Sequence, residues 1–556
     1  MKKIIFSIFV FLLSTSFCAN AQSKNGTPYS FNNLPVIAKT SFKKDTFNIV
    51  KYGAKNDGLT LNTKTINDAI IACHQKGGGV VLVPKGMWLT GPVELKSNVN
   101  LHLQANAILQ FSSDFDQYPL VASNWEGLPQ MRNQSPLWAT NQQNIAITGL
   151  GIIDGAGDAW RMVKKEKLTE SQWNKLISSG GIVSEDKKIW HPSEKNFKGS
   201  KLKNPGEITP DKTPEFYQSI KDFLRPNLLV FTSCKRILLE GVTFQNSPAW
   251  NIHPLMCEDL TVRNVYAKNP WYAQNGDGID IESCKNVLIE GSTFDVGDDG
   301  ICIKSGRDAA GRKRGMPTEN VIIRNSTVYH AHGGFVIGSE MSGGAKNIFV
   351  SDCSFIGTDI GLRFKTTRGR GGVVENIFIK NINMKDIIGE AILFDMYYAA
   401  VDPVPLKGEK REAPKVVLLP VTEETPVFRN FDIKNVVCDG AAKAIFVRGL
   451  PELSISNIKF ENLTIKAKEG IDIQEAKNIS LSNVNLYISD AHPLINIQNG
   501  NQLNFKNISY NSADLLFRIS GDRNSGITLT GTDLSKAKSK NEFLAGATEK
   551  SLQINK

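Results

Sequence analysis

Residues 286–294 read NVLIEGSTF, residues 320–328 NVIIRNSTV and residues 347–355 NIFVSDCSF. The phrase returns as RILLEGVTF at 236–244, DLTVRNVYA at 259–267 and NIFIKNINM at 376–384, so successive copies start 23, 27, 34, 27 and 29 residues apart. Further copies stand at 144–155 (NIAITGLGIIDG), 453–465 (LSISNIKFENLTI) and 479–488 (ISLSNVNLYI). A period of this length belongs to solenoids, in which each unit buries its apolar face only against its neighbours. Each unit alternates β-branched and polar residues, ends in Asn, Gly or Asp, and contains no apolar period of helical length. Units too short for a crossover helix, and without regularly placed Asn-Gly hairpin turns, argue against an antiparallel sandwich. The expected fold is all-β: a parallel β-helix, its asparagines stacked and hydrogen-bonded from coil to coil.

Two segments leave this rhythm. NTKTINDAIIACHQKGGGVVLVP (62–84) has apolar residues at helical spacing followed by three glycines and a strand, which predicts a helical cap over the first coil. Residues 161–225 are rich in Lys, Ser and Pro, with a capping box over Thr169–Gln172, and read as an insertion decorating one face. The expected organisation is a leader at 1–21, a linker at 22–45, a cap with the first coils at 46–115, the β-helix at 116–540 and a tail at 541–556.

The leader MKKIIFSIFVFLLSTSFCANA has two lysines, a short apolar run and small residues before Gln22, the pattern of a cleaved secretory signal. Lipid attachment at Cys18 is disfavoured by the bulky Phe17 before it. The expectation is an exported protein, periplasmic or secreted, without a membrane span. Removing the leader takes one of eight cysteines. The other seven form no CxxC pair or His-Cys cluster, so they read as small buried residues, with at most an unassigned disulfide. A formal net charge of +10 attracts polyanions. Without a nucleic-acid-binding motif, an acidic polysaccharide suits an exported chain better than nucleic acid.

Between 275 and 306 the chain reads NGDGIDIESCKNVLIEGSTFDVGDDGICIKSG, with five aspartates between apolar runs. Asp277 and the pair Asp298/Asp299 lie 21 and 22 residues apart, about one coil, and so should meet on one face. The next coils bring His332 from HAHGG, then Arg363 and Lys365 from GLRFK. Carboxylates that crowd one another divide into a protonated acid and an ionised partner, which is what glycoside hydrolysis requires. Arg363 and Lys365 alternate to one face of a strand and suit a substrate carboxylate, hence a uronic acid. Lys304 and Arg307, directly after the acidic pair, are added as substrate ligands. An EF-hand register fails, because its twelfth position falls on Asn286. Asp280, Glu282 and Asp295 are therefore read as structural or turn residues. All eight tryptophans lie between Trp88 and Trp271, with Trp250, Trp271 and Tyr272 beside the acidic stretch as platforms for sugar rings.

These residues resemble glycoside hydrolase family 28, the polygalacturonase family. Its ordered motifs are met by Asn275-Gly276-Asp277, Asp298-Asp299, Ala331-His332-Gly333 and Arg363-Phe364-Lys365, and YGAKNDG, GGGVVLVPKGMWLTGP and LHLQANAIL extend the likeness over residues 47–398. The resemblance implies a right-handed helix and single-step inversion without metal or cofactor. It implies Asp298 as general acid, Asp277 and Asp299 orienting water, His332 supporting the acid, and Arg363 and Lys365 on the galacturonate carboxylate. Inversion sets an expected acid–base separation of about 6.5–9.5 Å. The sequence departs at Gly276, Ala331 and Phe364. IKSGRDAAGRKRG and IGSEMSGG resemble the exo-acting bacterial members, which makes a pectic polysaccharide or oligogalacturonide the expected partner of a monomer. A rhamnogalacturonan hydrolase of the family, a calcium-dependent lyase and a non-catalytic glycan-binding β-helix are the rivals.

Overall fold

A computed structural model describes residues 28–400 and 418–555. The expected leader and its cleavage site lie outside them. Coil after coil pairs in parallel. One inward column runs Leu229, Ile252, Ile279, Ile301, Phe335, Leu362, Ile392, Ile445, each directly over the last. Every member is fully buried, and each such side chain contributes roughly 1.5–3 kcal/mol by leaving water. The helix is parallel as expected, and its crossovers wind right-handed.

The corners follow from the asparagines. Asn286, Asn320, Asn347 and Asn376 have φ of 58°, 59°, 55° and 58°, the left-handed region that Asn tolerates better than β-branched residues. Their amides bond from coil to coil: Asn320 Nδ2 to Asn286 Oδ1 at 3.0 Å, Asn347 to Asn320 at 3.1 Å and Asn376 to Asn347 at 3.5 Å. These four copies of the repeat therefore bend at their asparagines and tie each bend to the next, while Arg236 and Asp259 take the same left-handed backbone in two earlier copies.

The cap is the helix Thr63–Gln75, which buries Ile66, Ala69, Ile70 and Cys73. Gly78 follows at φ 103°, and a Cβ there would lie 2.4 Å from Asn98 O, so only glycine lets the helix end so close to the first coil. The insertion is present as helices Glu170–Ser178, Glu194–Ser200 and Pro214–Gln218 with a small antiparallel sheet, and the capping box at Thr169 and Gln172 forms.

Three features differ from the expected organisation. A hairpin, Leu120–Trp125 with Leu128–Asn133, projects ahead of the insertion and bonds to it through Met131 N and Gly206 O. Residues 28–45 do not form a free linker: Ser41 exchanges hydrogen bonds with Asn144 (3.0 and 2.7 Å), Ala38 N donates to Asp259 (3.2 Å), and Phe31 meets Phe349 edge-on at 5.6 Å. This strap lies on the corner side chains because their outer polar atoms still have bonds to make. Nor is 541–555 a tail. Leu552–Asn555 pairs with Ile527–Thr530, because Leu552 and Ile554 cover the last open coil. All seven described cysteines are free and buried, so the unassigned disulfide does not form. Among the described residues, no helix is long and apolar enough to cross a membrane.

Candidate active site

The strands Ile279–Glu282, Ile301–Lys304, Phe335–Ile337 and Leu362–Lys365 are neighbours in one sheet. Asp277 lies in the turn entering the first, Asp298 and Asp299 enter the second, and His332 enters the third, so a period-matched turn brings all of them to one end of the sheet. Gly276 has a physical reason: a Cβ there would fall 2.8 Å from the Ala273 Cβ and carbonyl, leaving no room for a threonine.

One oxygen each of Asp277, Asp298 and Asp299 can be chosen so that all lie within 4.8 Å of one another. The oxygens come this close because the three residues sit on adjacent coils at the same turn. Asp277 and Asp299 are buried, whereas the Asp298 side chain keeps 21% of its surface exposed and faces the groove. Burial pushes Asp277 well above the usual carboxylate range, and the neighbouring Asp280 and Asp298 push the same way. Burial also works against Asp299, but Lys365 (2.7 Å), Arg363 (3.4 Å) and the Lys304 charge outweigh it and hold that carboxyl well below its ordinary value. Asp299 is thus the securely ionised member.

His332 sets Nδ1 3.2 Å from Asp298 Oδ1 and Nε2 3.7 Å from Asp359, while its backbone N–H donates to Asp298 O at 3.0 Å. The hydrogen bond to Asp298 raises the imidazole above its ordinary value, against burial. Asn275 N donates to Asp298 Oδ2 (3.2 Å), so both Asp298 oxygens are oriented. Arg363 and Lys365 stand on one face of their strand as expected. Each has Tyr398, absent from the expected set, nearby, its ring 5.9 and 5.0 Å from the two cationic groups.

The other two expected ligands stand elsewhere. Lys304 is 4% exposed and turned under the floor, paired with Glu340 (3.0 Å) and Asp280 (3.6 Å) and set 4.8 Å over Trp250. Two buried carboxylates attract its ammonium more strongly than the groove does. Arg307 bonds Glu126 of the hairpin at 3.4 Å and Asp308 at 3.5 Å, and so ties the hairpin to the loop after the acidic pair. Asp280 is not a turn residue: it is fully buried on its strand, with no hydrogen-bond partner on either oxygen among the described residues. Glu282 and Asp295 are structural as expected, Glu282 with His253 (2.8 Å) and Arg314 (2.6 Å) and Asp295 with His330 (2.9 Å).

Sequence reading also missed Glu340 and Arg225, because neither lies in a repeated phrase. Trp271, half exposed with Lys167 5.6 Å over its ring, is the open aromatic platform, while Trp250 is buried. The three aspartates are close enough to hold a cation, although both oxygens of Asp299 already face Arg363 and Lys365.

A model of the family described as glycosyl hydrolases family 28 matches residues 217–427, and one described as rhamnogalacturonase A/epimerase, pectate lyase-like, matches residues 46–201. An exo-poly-alpha-D-galacturonosidase of Dickeya chrysanthemi is 28% identical over 499 residues, 83% of this chain and 77% of that protein. A probable polygalacturonase of Vitis vinifera is 28% identical over 76% of this chain and 75% of its own length. The crystal structure of an exopolygalacturonase from Thermotoga maritima superposes with a TM-score of 0.63 at 29% identity, covering 85% of this chain and 94% of that one.

Proposed function

This chain belongs to glycosyl hydrolases family 28 and is a pectin-degrading glycoside hydrolase, and from that premise we propose that it is an exo-acting polygalacturonase. The observation that carries the proposal is the triad Asp277, Asp298 and Asp299 at one end of the groove, with the Arg363 and Lys365 cations directly beside it. Asp298, the exposed member with both oxygens oriented, gives its proton to the leaving glycosidic oxygen. Asp299, kept ionised by its cations, draws the proton from an attacking water. Asp277, raised by burial, stands beside both carboxyls as the third member of the triad. Arg363 and Lys365 hold the galacturonate carboxylate, and Tyr398 packs against both.

Inversion is supported by family membership; the short oxygen spacing does not favour it over direct attack. The anomer first released, followed by proton NMR, decides this: inversion predicts the β-anomer from α-linked polygalacturonan, and initial α-anomer would sink it. The exo mode is supported by the relatives named for it and by the hairpin and insertion, which stand at the Asp277 end of the groove. Product analysis on polygalacturonan tests it, with monomer or dimer from the outset expected and a ladder of intermediate lengths excluding it. The match over 46–201 favours a second reading, a rhamnogalacturonan hydrolase, which the same assay on rhamnogalacturonan separates. Unsaturated product that chelator abolishes would make the chain a lyase. Asp298→Asn is expected to lower kcat about 10²–10⁴-fold with unchanged circular dichroism, whereas a non-catalytic glycan binder would show no turnover to lose. We further propose that the protein is exported by its leader and acts as a monomer, to be tested by cell fractionation and light scattering.

A further inference from the structure

Five described arginines are more than nine-tenths buried: Arg132, Arg161, Arg225, Arg370 and Arg448. Three have a carboxylate on the guanidinium, Asp158 on Arg161, Asp308 on Arg370 and Asp395 on Arg448. Arg132, 5% exposed, and Arg225, 4% exposed, have none within 4 Å among the described residues. An unpaired charge taken out of water costs several kcal/mol, and here two like charges share one aromatic surface. Arg132 lies 3.7 Å over the Trp125 ring and Arg225 5.7 Å from it, with Trp250 stacked parallel behind.

Their hydrogen bonds go to neutral acceptors, and the carboxylates that act on them, Glu126 on both and Asp298 and Asp277 on Arg225, do so from beyond ion-pair distance. Arg132 donates from Nη2 to Gln130 (2.9 Å), and its buried Nε has no partner among the described residues. Among the described residues Arg225 donates to neutral acceptors, the carbonyls of Pro248 and Gln274 (3.0 Å each) and Asn275 Oδ1 (2.9 Å). Through Asn275, whose N–H bonds Asp298, Arg225 stands one residue from the proton-donating carboxyl. Arg363 and Lys365 flank Asp299 from two coils beyond, while Arg225 acts on Asp298 and Asp277 from the other side, with Arg132 beside it on the Trp125 ring. Both arginines come from decorations, Arg132 from the hairpin and Arg225 from the end of the insertion. A planar donor fork on an aromatic face is the arrangement that recognises a carboxylate beside a sugar ring.

We propose that Arg132 and Arg225 form a second anion subsite, which takes the carboxylate of the galacturonate across the scissile bond from the one held by Arg363 and Lys365. The proposal rests on the galacturonide reading and makes the enzyme selective for two adjacent free acids. The test is calorimetric binding of trigalacturonate, and of its fully methyl-esterified form, to the full chain in the Asp298→Asn background. Adding Arg132→Met is expected to weaken trigalacturonate at least tenfold and to leave the ester unaffected, while Arg132→Lys, which keeps the charge, loses about threefold or less. Thermal melting of each variant identifies any that does not fold, and then Arg132→Lys with Arg225→Lys carries the comparison, a combined loss of fivefold or more being expected. Equal affinity for trigalacturonate in the folded variants and their parent overturns the subsite, whatever chain the enzyme hydrolyses. A wild type that binds trigalacturonate in the expected pattern, yet hydrolyses only rhamnogalacturonan, overturns the proposed function and leaves the subsite standing.

Discussion

The Asp298 carboxyl is oriented rather than buried: His332 and Asn275 hold its two oxygens while its surface stays open to the groove. The charged form of His332 is favoured by that contact, so its value in the fold lies above the ordinary one. The stabilisation is therefore fully present below the imidazole's unfolded value and is lost as pH rises through the raised one. His332→Gln is expected to lower Tm most at acid pH, with the gap to wild type closing on the alkaline side. Melting curves across pH check this, and a gap of constant size would assign His332 to packing alone. The triad, His332, Arg363 and Lys365 were legible because coil spacing converts sequence separation into contact. Lys304 was misplaced because spacing gives the face of a strand but not the competing carboxylates beneath it. Arg132 and Arg225 carried no signal at all, since no repeat or motif contains them.

Among the elements, the repeated strands announce themselves by alternation and by the asparagine at each corner. The hairpin at 120–133 and the strap at 28–45 do not, because neither has a partner at a fixed period. Yet the hairpin is tied to the loop after Asp299 through Arg307. Its tip, Gly127, has φ 78°, and a Cβ there would sit 2.7 Å from Arg307 N. Gly127→Val should therefore lift the tip from the loop after Asp299, at a cost of about 1–3 kcal/mol for the left-handed backbone. The expected result is a shift from monomer or dimer toward longer products, with KM for trigalacturonate raised severalfold. Unchanged product lengths would show that the hairpin does not close the groove. In the ladder, Asn347→Ala removes two inter-coil bonds from a buried residue. Urea titration should find a loss of about 1–3 kcal/mol, and none at all would mean the corner is held by strand pairing alone.

The whole molecule is a one-dimensional stack, so its stability is close to a sum of coils and the interfaces between them. The coils that carry the aspartates, His332 and the two cations, 275–365, are followed by one that brings Tyr398 to them and then by others, the last closed by Leu552–Asn555. Phe505 is fully buried in those terminal coils, 5.6 Å from Phe517, and its truncation to alanine should cost about 3–5 kcal/mol locally. In a globular core such a loss would be felt at every site, since one cooperative unit carries the whole fold. In a stack it should be felt by the coils that touch it. Phe505→Ala is therefore expected to expose amides between 477 and 555 to hydrogen exchange at rates well above wild type. Exchange over 275–365, kcat and KM at 25 °C should stay within about twofold, given that distant sites act independently. Accelerated exchange throughout the chain, with activity falling in parallel, would show that the coils unfold together and that the terminal ones brace the site.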